Sequence, residues 1–126
     1  MKELRARNSM YTFYEYPKCS TCRRAKAELN QLELDYIAHD LVKETPSEQE
    51  LVTWMKNSDL TIKSFFNTSG QKYRELGLKE KVAQFSIEES AKILTSDGML
   101  IKRPILLKNN RVLQIGYRTP YRKLNI

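Results

Sequence analysis

The sequence predicts an α/β fold in which a mixed β-sheet is built from a βαβ unit and a C-terminal β-hairpin, with a helical insertion between them. Three observations support this fold class. A short aromatic run gives way to helical spacing and then to an alternating run within the first 41 residues. The middle of the chain has helical spacing, and the last quarter carries two apolar runs around a turn-prone pair.

The N-terminal βαβ unit follows from the apolar spacing. Tyr11–Tyr16 is short and aromatic, and it ends at Pro17, which cannot donate to a sheet ladder. The residues after it take helical spacing, with Cys22 and Leu29 on one apolar face. The alternating run Asp35–Leu41 predicts a second strand. Because a helix joins the two strands, we expect them to be parallel with a right-handed crossover.

The middle of the chain, from Thr45 to about Thr95, predicts helices. A first helix is expected to begin at Ser47, which can act as N-cap ahead of two glutamates. Further helical pieces are predicted at residues 62–66, 71–76 and 86–94. Ser86 and Glu89 have the spacing of a capping box at the start of the last piece.

The C-terminal part predicts an antiparallel hairpin. The apolar runs Pro104–Leu107 and Val112–Ile115 flank Asn109 and Asn110, a pair that favours a turn. Residues Thr119–Leu124 are expected to form a short closing helix.

Length and composition favour one domain. A chain of 126 residues is within the usual size of a single compact domain, which we expect over residues 10–126. Residues 1–9 are polar and basic without an apolar stretch, and we interpret them as a disordered extension or a cloning remnant. No apolar run approaches the roughly 20 residues of a membrane span. The sequence therefore predicts a cytoplasmic protein that does not bind membranes.

The net charge of +7 at pH 7 favours an anionic partner. The positive charges are spread along the chain, with two locally dense groups. They are Lys18, Arg23, Arg24 and Lys26, and in the tail Arg118, Arg122 and Lys123. No nucleic-acid-binding motif accompanies them, so we expect no direct contact with nucleic acid. A solvated basic surface is the alternative interpretation.

Cys19 and Cys22 form a C-x-x-C motif between the first strand and the first helix. In a βαβ context this spacing is typical of a thioredoxin-like redox site. A cysteine at a helix N-terminus faces unpaired backbone N–H groups and the positive end of the helix dipole, so its pKa should fall. Because the thiolate is the nucleophile, we expect Cys19 to attack and Cys22 to resolve the resulting mixed disulfide.

The two cysteines allow two other interpretations. Structural zinc needs four ligands, whereas the chain has two cysteines and one histidine, His39. We therefore expect neither a metal nor another cofactor. The second interpretation is a pair of buried, inert cysteines, which the position of the motif at a strand-to-helix turn disfavours.

The segment Lys102-Arg103-Pro104 precedes the predicted hairpin. In a thioredoxin-like fold, a proline at the start of the third strand lies in cis opposite the dithiol, and Pro104 fits that position. Arg103 would then point near Cys19, where a guanidinium suits thiolate stabilisation or oxyanion binding. A surface arginine that merely precedes a strand is the alternative.

Three separated segments resemble the arsenate reductase/Spx family. They are CSTCRRA at residues 19–25, FFNTSGQKYR at residues 65–74 and DGMLIKRPIL at residues 97–106. The resemblance extends from about Tyr11 to the C-terminus and implies a thioredoxin-like core that carries a helical insertion.

The resemblance implies a thiol-disulfide redox protein of the arsenate reductase-like type, reduced by glutathione, glutaredoxin or thioredoxin. It also implies that Arg103 and Asn67 occupy anion- or thiolate-binding positions. Arsenate-reducing members carry an arginine where this chain has Asn67 and another near Ile115, so two of their three positive charges are missing here. Since each charge-assisted hydrogen bond contributes roughly 1.5 to 3 kcal/mol, we expect a weaker hold on arsenate.

The alternative is a redox-sensing transcription regulator of the Spx type, which binds the RNA polymerase alpha subunit. Members of that branch carry a glycine just before the Phe65 region, whereas residues 59–62 contain none, and they have a longer tail after the hairpin. Both branches share a redox-active dithiol with an arginine beside it.

Overall fold

The computed structural model describes residues 10–126, and our expectation for residues 1–9 lies outside the described part. The chain divides into two compact units. The first ends at Asp40 and resumes over Arg103–Ile126, and the second is Leu41–Lys102. Our expectation of one domain over residues 10–126 therefore stays a prediction.

The first unit is a four-stranded mixed sheet with one long helix. Its regular elements are β1 (Tyr11–Glu15), α1 (Ser20–Gln31), β2 (Tyr36–Asp40), β3 (Ile105–Lys108), β4 (Arg111–Ile115) and a 3-10 helix over Tyr121–Lys123. The strand order is β2-β1-β3-β4. β1 and β2 run parallel, and β3 is antiparallel to both β1 and β4. This arrangement confirms the predicted mixed α/β fold, with a βαβ unit and a C-terminal hairpin.

β1 is an inner strand whose register matches its apolar sequence. Phe13 pairs with Ala38 on β2 and with Leu106 on β3. Both Phe13 and Leu106 are fully buried. An inner strand of a covered sheet favours such near-continuous apolar residues, which explains why this short run forms a strand.

The hairpin turn lies where the asparagine pair predicts it. Asn109 and Asn110 have φ angles of 51° and 66°, in the left-handed region that asparagine tolerates better than most residues. The Asn109 N–H also donates a hydrogen bond to the carbonyl of Met10, just before β1, at 2.8 Å. The turn therefore ties the hairpin to the start of β1.

The core of the first unit lies between the sheet and α1. Its buried cluster combines sheet residues with one face of the helix and with the C-terminal segment: Tyr11, Phe13, Ala25, Leu29, Leu106 and Tyr121. Burying a large apolar side chain contributes about 1.5 to 3 kcal/mol, so this cluster fixes α1 against the sheet.

The second unit is helical, as predicted for the insertion. It contains α2 (Glu48–Lys56), α3 (Gln71–Glu75) and α4 (Ile87–Thr95), with 3-10 helices at Ile62–Phe65, Leu78–Glu80, Val82–Gln84 and Gly98–Leu100. The piece predicted at residues 62–66 is thus a single 3-10 turn. Its N-cap is Thr61, whose hydroxyl accepts from the Ser64 N–H.

Capping boxes define the starts of two helices in this unit. The Ser47 hydroxyl accepts from the Glu50 N–H at 3.1 Å, and the Glu50 carboxylate accepts from the Ser47 N–H at 3.0 Å. Ser86 and Glu89 repeat the arrangement at 3.0 and 2.9 Å. Both starts occur at the residues that the sequence predicts.

Apolar residues on α2 and α4 form the interior of the second unit together with the intervening turns. Leu51, Trp54, Phe65, Leu94 and Leu100 are almost fully buried. A Cβ at Gly98 would collide with the Leu41 carbonyl oxygen, so this close approach requires glycine. Over the residues described, no helix has the length and apolarity needed to cross a membrane.

Candidate redox site

Cys19 caps the N-terminus of α1. Its backbone is extended, with φ −86° and ψ 123°, and its Sγ accepts a hydrogen bond from the Cys22 N–H at 3.4 Å. The Cys19 N–H donates to the Tyr16 carbonyl at 2.9 Å, which closes the turn between β1 and the helix. The sulfur therefore occupies the position that a serine or aspartate oxygen takes at other helix starts.

The surroundings of Cys19 favour its thiolate. Partial burial by itself raises the pKa of the thiol. Hydrogen bonds from the N–H and thiol of Cys22 and from the Thr21 N–H, together with the positive charge of Arg103, more than offset that effect. The first turn of α1 contains no acidic residue that would oppose them. The pKa of Cys19 is lowered as a result.

Cys22 has the opposite character. Its side chain is fully buried, and its Sγ accepts from the Tyr16 N–H at 3.5 Å. Burial and the adjacent Cys19 sulfur raise the pKa of Cys22 to about 12. Both cysteines are free thiols. The motif therefore contains one thiol that ionises readily and one that holds its proton.

Arg103 acts on both cysteines of the dithiol from within the same unit, and Pro104 follows it in the chain. The Arg103 guanidinium lies over the Tyr16 ring, 5.1 Å from its centroid. Its positive charge helps to lower the pKa of Cys19 and partly opposes the rise in the pKa of Cys22, where burial prevails. The Arg103–Pro104 peptide bond is cis. The Pro104 carbonyl accepts from the Gly116 N–H at 2.8 Å, which continues the pairing of β3 with β4. Cys19, Cys22 and Arg103 are thus brought into one electrostatic cluster.

Asn67 belongs to the second unit, where it organises a tight loop before α3. Its N–H donates to the Leu100 carbonyl at 2.7 Å, and its carbonyl accepts from the Gly70 N–H at 3.0 Å. A Cβ at Gly70 would lie 2.6 Å from the Asn67 side-chain nitrogen. The anion- or thiolate-binding role of Asn67 stays a prediction.

A protein-family comparison matches nearly the whole described chain. The model of the ArsC family covers residues 14–123, which include the dithiol, Asn67, Arg103 and Pro104. The chain belongs to the ArsC family. The family resemblance proposed from three sequence segments is thereby confirmed, and this member carries its two cysteines in C-x-x-C spacing.

Two curated relatives match most of the chain. The protein YusI of Bacillus subtilis (strain 168) is 46% identical over 107 residues, which are 85% of this chain and 90% of YusI. The global transcriptional regulator Spx of Lactiplantibacillus plantarum is 29% identical over 108 residues, which are 86% of this chain and 80% of that protein.

A solved structure has the same fold over almost the entire chain. It is a possible arsenate reductase from Streptococcus mutans UA159, with 59% identity and a TM-score of 0.90, and the match covers 94% of this chain and 100% of that one. The thioredoxin-like fold expected for the ArsC family is therefore the fold of this protein.

This ArsC family member also contains a buried carboxylate on α1 that the sequence did not single out. Glu28 lies on α1 and is only 4% exposed. Its oxygens accept from the Tyr117 hydroxyl and the Tyr121 N–H, both at 2.6 Å, and from the N–H and guanidinium of Arg122, both at 3.2 Å. A glutamate on the apolar face of a helix was the available signal, since such a position requires a buried partner.

The hydrogen bonds of Glu28 keep it ionised. Burial by itself raises the pKa of the carboxyl group, but the donors from Tyr117, Tyr121 and Arg122 outweigh burial and lower the pKa overall. Glu28 therefore links α1 to the C-terminal segment through charge-assisted hydrogen bonds.

Among residues 10–126, no cluster of three or more His, Cys, Asp or Glu side chains could hold a metal ion.

Proposed function

We propose that this protein is a cytoplasmic dithiol-disulfide oxidoreductase of the arsenate reductase-like type, with Cys19 as nucleophile and Cys22 as resolving thiol. The observation that carries the proposal is the opposite environment of the two sulfurs. Cys19 caps α1 and has a lowered pKa, whereas Cys22 is buried and has a raised pKa. A nucleophilic thiol paired with a protonated resolving thiol is the arrangement that disulfide exchange requires.

The reaction transfers two electrons from the dithiol to a disulfide. The Cys19 thiolate attacks one sulfur of the partner disulfide, forms a mixed disulfide and releases the other sulfur as a thiolate, which takes a proton from water. Cys22 then loses its proton to solvent and attacks Cys19. A Cys19–Cys22 disulfide forms, and the remaining partner thiol is released.

Three further residues have supporting roles in this proposal. The Arg103 charge stabilises the Cys19 thiolate and can hold an oxyanion beside it. Pro104 precedes β3 without a backbone N–H and leaves the edge beside the dithiol open to a partner chain. Asn67 contributes an amide that can hydrogen-bond an anion.

Glutathione, glutaredoxin or thioredoxin would return the disulfide to the dithiol. Because the thiols themselves carry the electrons, the cycle needs no further cofactor. Arsenate is a candidate substrate through the S. mutans structure, whose title describes a possible arsenate reductase. The amide at residue 67 provides less charge for an oxyanion than a guanidinium would, so a protein disulfide suits this site better.

The decisive experiment separates the two cysteines. Cys22→Ser should accumulate a mixed disulfide with a small disulfide substrate, visible by intact mass, because nothing resolves the bond to Cys19. Cys19→Ser should accumulate none. Equal accumulation in both variants, or in neither, would refute the assigned roles.

A second candidate function is redox-dependent regulation of transcription through the RNA polymerase alpha subunit. The similarity to the Spx regulator supports it, and a dithiol that closes to a disulfide would supply the switch. Affinity capture with immobilised alpha subunit, using the fully reduced and fully oxidised protein, separates the candidates. Capture of only the oxidised form, with no turnover of disulfides by thioredoxin or glutathione, would favour the regulator.

A further inference from the structure

Tyr16 follows the last residue of β1, and its backbone is hydrogen-bonded to both cysteines of the dithiol. Its carbonyl accepts from the Cys19 N–H at 2.9 Å, and its N–H donates to Cys22 Sγ at 3.5 Å. Pro17 comes next, and its ring fixes the φ angle there. The main chain at residue 16 is therefore held against the dithiol, and the Tyr16 side chain begins at a fixed point beside it.

The ring of Tyr16 makes a contact that these backbone bonds do not require. The Arg103 guanidinium lies over it, 5.1 Å from the ring centroid. An aromatic face attracts a cation within about 6 Å of its centroid. Both side chains are partly buried, so water screens this attraction less than it would on an open surface. The guanidinium is thus bound to the face of a ring that belongs to the dithiol turn.

Arg103 reaches this turn from the other end of the sequence, since it precedes Pro104 and β3. An arginine side chain has many rotamers, and ordering it costs conformational entropy. An aromatic face offsets part of that cost because the planar guanidinium stacks on it. The Tyr16 ring therefore favours the arrangement of Arg103 in which the positive charge lies at the dithiol turn.

The electrostatics of the two sulfurs agree with this geometry. The Arg103 charge helps to lower the pKa of Cys19 and opposes the effect of burial on the pKa of Cys22. Hydrogen bonds at the start of α1 lower the pKa of Cys19 as well. The contribution of the guanidinium depends on where it is held, because the interaction of two charges weakens as they move apart.

We propose that Tyr16 is a positioning residue for Cys19: its ring holds the Arg103 guanidinium beside the dithiol, where the positive charge stabilises the Cys19 thiolate. This inference deepens the proposed function and rests on it, because it concerns the nucleophile of the exchange reaction. The ring acts through Arg103 and takes no part in making or breaking bonds.

The pH profile of Cys19 alkylation by iodoacetamide tests this role. Tyr16→Leu should shift the profile to higher pH and slow alkylation at neutral pH by about two- to fivefold, as expected for the loss of one cation–π contact. Tyr16→Phe keeps the ring face and should stay within about 1.5-fold of the wild-type rate. At a pH where Cys19 is fully ionised, all three proteins should react at similar rates. A slowing that persists there would show a change in access to Cys19 and would overturn the proposal.

A double-mutant cycle shows whether the ring acts through Arg103. Arg103→Met should slow alkylation at neutral pH more than Tyr16→Leu does, because Tyr16→Leu leaves the charge in the molecule. In the Arg103→Met background, Tyr16→Leu should slow the reaction no further. Equal slowing by Tyr16→Leu in both backgrounds would overturn the proposal, and so would an unchanged profile in Tyr16→Leu.

Lys108→Met is the matched control. Lys108 lies over the Tyr11 ring, 5.5 Å from its centroid, at the opposite end of β1 from the dithiol turn. Its replacement removes the cation of a second cation–π contact and should leave the Cys19 profile unchanged. A shift as large as that in Tyr16→Leu would contradict the proposal, because the position of the contact would then not matter.

Fluorinated phenylalanines at position 16 test the ring if Tyr16→Leu fails to fold. Fluorine withdraws electron density from the ring face with little change in shape, and so weakens the attraction for a cation. Alkylation at neutral pH should slow stepwise from phenylalanine to difluorophenylalanine and trifluorophenylalanine. Equal rates across this series would refute the role of the ring.

Alkylation needs only Cys19, so its outcome is separate from that of disulfide exchange. If Cys22→Ser accumulates no mixed disulfide while the Tyr16→Leu profile shifts as expected, the exchange reaction is refuted and the positioning of Arg103 by Tyr16 stands. If the mixed disulfide accumulates while the Tyr16→Leu profile is unchanged, the exchange reaction stands and the role of Tyr16 is wrong.

Discussion

At the scale of single residues, the site depends on the difference between two sulfurs three positions apart. The strand-to-helix turn makes Cys19 the cap and leaves Cys22 on the buried face of α1. Hydrogen bonds and the Arg103 charge outweigh burial at Cys19, whereas burial dominates at Cys22. The same short motif therefore shifts the pKa values of its two thiols in opposite directions.

Arg103 provides a direct test of that difference. Because a nearby positive charge lowers the pKa of a thiol, Arg103→Met should raise the pKa of Cys19. The thiolate fraction at neutral pH then falls, and alkylation of Cys19 by iodoacetamide should slow by up to about tenfold. Thiolate absorbance at 240 nm across a pH titration measures the shift.

Arg103→Lys and Arg111→Met are the controls for this titration. The lysine variant keeps a charge at the site and should lie between wild type and Arg103→Met. Arg111 is exposed and begins β4, next to Lys108, which pairs with the N-terminal residue of β1. Its replacement should leave the Cys19 titration unchanged, and a comparable shift would show that net charge, not position, sets the pKa.

At the scale of elements, Glu28 connects α1 to the C-terminal segment. Four hydrogen bonds converge on its carboxylate from Tyr117, Tyr121 and Arg122. They hold the 3-10 helix at Tyr121–Lys123 against the helix that begins at the dithiol. The position of the Tyr121 backbone against α1 thus depends on this carboxylate.

Glu28→Gln should therefore destabilise the protein by about 1 to 3 kcal/mol at neutral pH. The lowered pKa of Glu28 means that its contribution is fully present above the ordinary pKa of a glutamate, about 4.3. The contribution is lost as pH falls through the lowered value, because the unfolded state then binds more protons. Urea unfolding at neutral pH and below about pH 4 should show the wild-type advantage shrinking in acid. An advantage that is constant with pH would contradict an ionised Glu28.

The sequence predicts the elements better than it predicts the links between them. β1, α1 and the hairpin follow from local apolar periods, and the caps at Ser47 and Ser86 follow from short-range hydrogen bonds. Glu28 and Tyr121 are hydrogen-bonded to each other although they lie more than 90 positions apart in the sequence. No local period encodes such a contact, so only the folded chain shows which buried group each residue meets.

The same limit explains the irregular middle of the chain. Local spacing predicts a helix at residues 62–66, but only one 3-10 turn forms there. Phe66 leaves helical geometry and pairs with Ile101 in an isolated antiparallel bridge. A backbone pairing with a residue 35 positions away outweighs the local preference.

The same limit applies to the candidate site. The C-x-x-C spacing predicts the reactive site from local signals alone, but the role of Asn67 remains a prediction because it depends on distant parts of the chain.

At the scale of the whole molecule, the net positive charge of the chain favours the approach of negatively charged partners to the dithiol. The chain carries a net charge of +7, and the exposed side chains of Lys18, Arg23 and Arg24 lie around the N-terminus of α1. A positive field of this kind speeds the approach of negatively charged partners, and salt screens it. The proposed reaction should therefore favour disulfides that are flanked by acidic residues.

Two peptide disulfides of equal length, one acidic and one basic, test this preference by their rates of mixed-disulfide formation in Cys22→Ser. The acidic peptide should react faster at about 0.01 M ionic strength, and the difference should shrink near 0.15 M, where the Debye length falls from about 30 Å to about 8 Å.

Arg23→Gln with Arg24→Gln should remove most of the preference for the acidic peptide. Lys108→Gln with Arg111→Gln removes the same charge at the hairpin turn and should preserve it, because those residues lie at the opposite end of β1 from Cys19. Equal rates for both peptides at low salt would show that the positive surface does not steer partners to this site.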